Sequence, residues 1–201
     1  MIHKTNTMID ISLSFIQGFL RQELNSRLGL ASATESVRLV NLHKDISPDN
    51  YLAMTLIHIE EEKTIKNLPF LRKNTPASDR FIKTNPEIGL NLYILLSALF
   101  EENNYQEALK QLSQVLLIFQ GKNVFEGSDL TGQASPLGKI TVELYTLPFE
   151  QFNNLWQTLG LAIYPSVIYR IRILTMYDAK TLGEVSEIRG IALETLQKSP
   201  L

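Results

Sequence analysis

LWQTLGLAIYPSVIYRIRILTMYD, residues 155–178, joins the end of a helix, a proline turn and a long alternating strand. Phe149, Phe152, Trp156 and Leu159 recur at spacings of three and four, so they share one side of a helix that Pro148 opens within its first turn. For Trp156 the spacing favours core packing, and the alternative is an exposed interface anchor. Tyr164, Pro165 and Ser166 turn the chain, and side chains then alternate along residues 167–177. Val167, Tyr169, Ile171 and Ile173 make a core face, while Ile168, Arg170, Arg172 and Leu174 make a semi-polar one. The arginine pair has two readings: a solvent-facing strand surface, or pairing with acidic residues of a neighbouring subunit, which the forked guanidinium suits.

Ile9, Leu13, Ile16, Leu20, Leu24 and Leu28 predict an amphipathic helix over residues 8–30, ended by Gly29. A strand follows at residues 37–42, and the Ser47, Pro48, Asp49, Asn50 turn leads into a longer one at 51–63, which predicts an antiparallel hairpin. Residues 66–86 hold three prolines and Lys66, Arg72, Lys73, Arg80 and Lys83 against the single acid Asp79, and read as a long loop. From Ile88, Leu90, Leu92, Ile94 and Leu96 share one strand face and Asn91, Tyr93, Leu95 and Ser97 the other. A helix over residues 105–120 carries Leu109, Leu112, Leu116 and Phe119 as its expected buried stripe, and a second long loop spans 121–139. A strand at 140–147 completes the set. The order predicts an α+β fold: a mixed, mostly antiparallel sheet of about five strands with three helices packed on it. Residues 179–201 trail behind with an open conformation: Val185, Ile188, Ala192 and Leu196 fit a helix, whereas residues 188–193 fit a strand.

A chain of 201 residues, 44% hydrophobic, suits one compact domain with a substantial core. Its net charge of -2 argues against a protein whose main task is coating nucleic acid. With no cysteine, disulfides, thiol nucleophiles and thiolate metal sites are absent, which fits a reducing cytoplasm. Polar residues Asp10, Ser12, Ser14 and Gln17 interrupt the N-terminal segment, so no secretory signal is expected there. The longest apolar run is about nine residues against the ~20 of a spanning helix, and membrane insertion is not expected.

Few residues of the sequence carry a pattern of reactive chemistry. His3, His43 and His58 lie apart, with no HExxH pair; His58 and Glu60 share a strand face, but zinc normally takes at least three protein ligands. Of Glu60, Glu61 and Glu62, only the first and last point the same way, and they read as a solvated strand end or a salt-bridged subunit contact. GQASPLGK at residues 132–139 has one residue too many between its glycines for a phosphate loop, and Ile140 stands where Ser or Thr would hold magnesium. No GxSxG elbow is present.

Four segments, IEEEKTIKN (59–67), GLNLYILLSALF (89–100), ITVELYTLPFEQFNNLWQTLG (140–160) and PSVIYRIRILTMYD (165–178), carry a resemblance. Together they resemble the cap, or tail terminator, proteins of contractile injection systems, the antifeeding-prophage type of phage-tail-like particle. The resemblance covers residues 9–178. It implies a tail-terminator-like domain over residues 1–178 with 179–201 as a C-terminal tail or arm. It also implies a structural, non-enzymatic part that forms a homohexameric ring and closes the inner tube and sheath at the end remote from the baseplate. Its partners would be copies of itself, the tube protein and the sheath protein, with no nucleic acid and no cofactor. Assembly would take place in the bacterial cytoplasm, and the product would be a component of the particle. The family brings no active-site residues, so the candidate interface rests on the basic loop (Lys66, Arg72, Lys73, Arg80, Lys83), the strand pair Arg170 and Arg172, the loop at 121–139, and the tail with Ile188, Arg189 and Ile191. The competing expectations are another ring-forming tail component, such as a baseplate-side adaptor or a phage tail terminator, and a small hydrolase or ligand-binding α/β domain.

Overall fold

A computed structural model describes residues 8–43, 46–62, 70–73, 80–84, 89–174 and 181–186. The chain divides into two compact units, one of residues 1–65 and 88–176 and one of residues 66–87 and 177–201.

The larger unit is built on a six-stranded sheet. Its strands are β1 (Val37–Leu39), β2 (Tyr51–Glu61), β5 (Leu90–Leu99), β6 (Val124–Glu126), β7 (Lys139–Tyr145) and β8 (Ser166–Leu174), in the spatial order β1-β2-β5-β8-β7-β6. Strand β5 lies in the middle, and every residue from Asn91 to Leu99 is buried, because both faces of the sheet are covered. On one face, Leu92, Ile94 and Leu96 meet Tyr169, Ile171 and Ile173 of β8 and the helices α1 (Met8–Leu28) and α2 (Tyr105–Gly121). Ile16, Leu20 and Leu24 of α1 are fully buried there, as the three- and four-residue spacing requires. Phe19 sits edge-on to Phe125 at 4.7 Å, and Phe119 of α2 packs on Tyr169 at 4.8 Å. On the other face, α3 (Phe149–Leu159) lays Trp156, fully buried, over Leu95, Leu99 and Ile168. Each such apolar side chain contributes about 1.5–3 kcal/mol on leaving water.

Several expectations need correction. Strands β1 and β2 pair in parallel, with Val37 opposite Leu52 and Leu39 opposite Met54, not as an antiparallel hairpin. Asn50 of the predicted turn lies in the left-handed region at φ 52°, but described residues before it lie on the α3 face. Val40, Leu42 and Ile46 pack there with the Trp156 cluster, and that burial is what a tight turn would forgo. The stripe of α2 is Ala108, Gln111, Leu112, Val115, Ile118 and Phe119; Leu109 and Leu116 fall on its exposed shoulder. The loop at 121–139 contains β6 and two 3-10 turns, Gly127–Asp129 and Gly132–Leu137, and buries Phe125, Leu130, Ala134 and Leu137. Its apolar residues stand singly among Gly, Ser, Asp and Pro, so no periodicity announces them.

The smaller unit contains a three-stranded antiparallel sheet of β3 (Phe70–Lys73), β4 (Arg80–Thr84) and β9 (Thr181–Ser186), in the order β3-β4-β9. Leu71 lies opposite Lys83, and Phe81 opposite Val185. The basic segment read as a loop is thus a strand hairpin. Pro69, Pro76 and Pro86 flank its strands rather than interrupt them.

Candidate functional site

Helix α3 covers only part of its sheet face. Beyond it, four neighbouring strands present polar side chains in register: His58 opposite Tyr93, Tyr93 opposite Arg170, and Arg170 opposite Glu143. One step along, Glu60 faces Asn91 and Asn91 faces Arg172. A shift between Leu56 and His58 in β2 re-aims that strand, which brings His58 and Glu60 to this face with Tyr93.

The row is tied together by charge. Arg170 donates through Nε, at 3.0 Å, and through Nη2 to Glu143 Oε2. Arg172 bridges Glu143 Oε2 at 3.5 Å and Glu62 Oε2 at 3.2 Å. Asn91 Nδ2 also donates to Glu62 Oε2, at 3.2 Å, and the Tyr93 hydroxyl donates to Glu60 Oε2 at 2.8 Å. The hydrogen bonds that Arg170 donates to the Glu143 carboxylate raise its pKa above the usual value. Burial, followed by the Glu60 carboxylate, raises that of Tyr93. The Glu62 side chain is only 9% exposed, and its backbone N–H donates to the Gly89 carbonyl at 2.9 Å. A cavity of about 310 Å³ opens beside the row, lined by Ile57, His58, Glu60, Tyr93, Tyr145 and Leu155 among others.

A second surface lies at the other side of the sheet. Strand β6 pairs with β7 only over Lys139–Thr141, and the Val142 N–H reaches the Asn123 carbonyl at 2.8 Å. Among the described residues no strand pairs with this edge of β7 beyond Val142. Leu144, 57% exposed, stands on that bare edge, and with Leu116 it lines a cavity of about 460 Å³ beside α2. Tyr105 and Leu109 continue the exposed apolar shoulder along α2.

Of the residues singled out in the sequence, Arg170 and Arg172 are brought together with Glu62, Glu143 and the His58–Glu60 pair. Arg72 and Lys73 stand on β3, Arg80 and Lys83 on β4. Lys66, Ile188, Arg189 and Ile191, like His3, lie outside the described residues. Asn91, Tyr93, Glu143 and Leu144 were not found by sequence. The first two carried a weak signal, polar residues on one face of an otherwise apolar strand; Glu143 and Leu144 carried none.

Glu62 and Glu143 are each engaged by arginine, and among the described residues no group of His, Asp and Glu is placed to hold a metal ion. The GQASPLGK segment folds as a 3-10 turn with Ala134 and Leu137 buried. No helix among the described residues is long and apolar enough to cross a membrane.

Two solved structures are similar to this chain. One, the PVC sheath/tube terminator in extended state of an extracellular contractile injection system, aligns with 98% of this chain at a TM-score of 0.65 and 15% identity. The other, the anti-feeding prophage cap (AFP tube terminating cap), aligns with 98% of this chain at a TM-score of 0.63 and 17% identity. The chain spans 66% and 64% of those two chains, just under two thirds of their length. No curated protein matches it. The model of the Pvc16 N-terminal domain matches residues 14–188, and the chain belongs to that family.

Proposed function

We propose that this protein is the structural cap of a contractile injection system, ending the inner tube and sheath at the end remote from the baseplate. The observation that carries this reading is the fold: nearly the whole chain follows two proteins described as a sheath/tube terminator and a tube terminating cap. The family match over residues 14–188 supports it independently of the fold comparison.

In this reading the protein works as a homohexameric ring assembled in the bacterial cytoplasm and carried on the particle. Head-to-tail closure needs two unlike patches on each subunit. The bare β7 edge with its apolar shoulder, the polar row around Arg170 and Arg172, and the smaller unit with its basic strands and tail are the surfaces that serve it. They also meet the tube and sheath proteins. An unpaired strand edge beside exposed leucines accepts a strand from another chain, since pairing satisfies backbone groups and burial removes apolar area from water. A small enzyme would need a pocket with free reactive groups, whereas here Glu62 and Glu143 are engaged by arginines.

Deleting the gene in cells that make the particle tests the proposal. Electron microscopy should find tubes and sheaths of uncontrolled length or lost sheath, restored by the intact gene, and a label on the protein should decorate only the end away from the baseplate. Particles of normal length and form without the protein would overturn it.

A further inference from the structure

Both arginines of the polar row, Arg170 and Arg172, are committed to Glu62 and Glu143. Glu60, exposed, is held by the neutral Tyr93 hydroxyl. It stands at the cavity of about 310 Å³, whose aromatic wall is Tyr93 and Tyr145, edge-on at 4.8 Å, with His58 tilted against Tyr93 at 5.6 Å. Ile57, Leu155 and Ile168 supply apolar lining. A carboxylate, electron-rich ring faces and an apolar floor together match a long basic side chain: the methylene stem lies on the floor, and the cation meets rings and carboxylate.

The charge distribution of the chain says where such a side chain resides. The larger unit has eleven Lys and Arg against fifteen Asp and Glu, whereas residues 66–87 have five Lys and Arg against two acids. Four of those basic residues, Arg72, Lys73, Arg80 and Lys83, stand on strands β3 and β4. We propose that the Glu60 cavity of one copy receives a basic side chain from the β3–β4 hairpin of a second copy. The proposal rests on the ring reading above and gives it a socket and a plug, the two unlike patches that head-to-tail association requires. Arginine fits best, because its plane stacks on tyrosine while its fork reaches Glu60.

The experiment uses particle-producing cells in which His58, an exposed residue at the same cavity, is replaced by a photo-crosslinking amino acid, with heavy-isotope and light copies of the protein mixed. Irradiation should yield heavy–light dimers joined from position 58 to a peptide within residues 66–87. Crosslinks within one copy only, crosslinks to another segment, crosslinks to tube or sheath, or no crosslink would each overturn the socket. In a companion arm, Glu60→Lys and a fourfold reversal (Arg72→Glu, Lys73→Glu, Arg80→Glu, Lys83→Glu) should each lower incorporation into particles by about tenfold. Co-expression of the two variants should restore it, because each then offers the other a complementary partner. Incorporation unaffected by Glu60→Lys, or unrecovered on co-expression, overturns the assignment. Length control by the wild-type protein is scored separately, so that a failed socket is told apart from a failed cap.

Discussion

Gly89 sets the geometry of the polar row at a single atom. A Cβ built there would stand 2.9 Å from the Cβ of Glu62, closer than real contacts allow, and Glu62 is the carboxylate that Arg172 and Asn91 both hold. Gly89→Ala should therefore cost about 1–3 kcal/mol in denaturant unfolding, through displacement of the β2 end. Gly18, inside α1 with nothing within 4 Å of its Cβ position, gives the opposite sign. Gly18→Ala should stabilise by about 0.5–1 kcal/mol, since alanine has the higher helix propensity. Equal effects of the two changes would refute the close-approach account. Tyr169 provides a pH reading: burial pushes its phenol up to about 12 from an ordinary 10.0. The folded state therefore favours the protonated ring, and this contribution is complete below pH 10 and lost as pH rises toward 12. Tyr169→Phe keeps the packing on Phe119 and should make alkaline unfolding less steep in that window, followed by circular dichroism; an unchanged profile would show that other groups control it.

Among the elements, the long strands and helices were legible because their signals are local. The split of β5 into Leu92, Ile94, Leu96 against Asn91, Tyr93, Leu95 follows from alternation alone, and the structure places those sets on opposite faces. The face of β8 with Tyr169, Ile171 and Ile173 follows in the same way. What escaped was non-local. The parallel pairing of β1 goes with the burial of Leu42 in the Trp156 cluster, and the hairpin β3–β4 has its third partner nearly a hundred residues away in β9. The polar row was half legible: Arg170 and Arg172 stood out, but Glu143 joins them only through the β7–β8 register. The bare end of β7 yields a prediction at this level. Leu144→Lys replaces an exposed side chain, so folding stability should stay within about 0.5 kcal/mol. A charge on an open edge discourages strand addition, so the variant should be recovered folded yet poorly incorporated into particles. Normal incorporation, counted by quantitative mass spectrometry of purified particles, would remove the β7 edge from the assembly surface.

Both hydrophobic clusters among the described residues lie in the larger unit. The smaller unit has a three-stranded sheet whose third strand, β9, comes from the segment after Leu174. A two-stranded hairpin alone is marginal in water, whereas a third strand makes independent stability attainable. Removing residues 180–201 should then leave the thermal midpoint and the Trp156 fluorescence of the larger unit nearly unchanged, because Trp156 is fully buried among residues of that unit. Backbone amides of β4 should lose protection in hydrogen exchange, since their antiparallel partner is gone. If the smaller unit and its tail make the contacts proposed here, the truncated protein should enter rings and particles far less well while remaining folded. A truncated chain that caps particles of normal length would assign ring closure to the larger unit alone, and one that unfolds outright would contradict the independence of the two units.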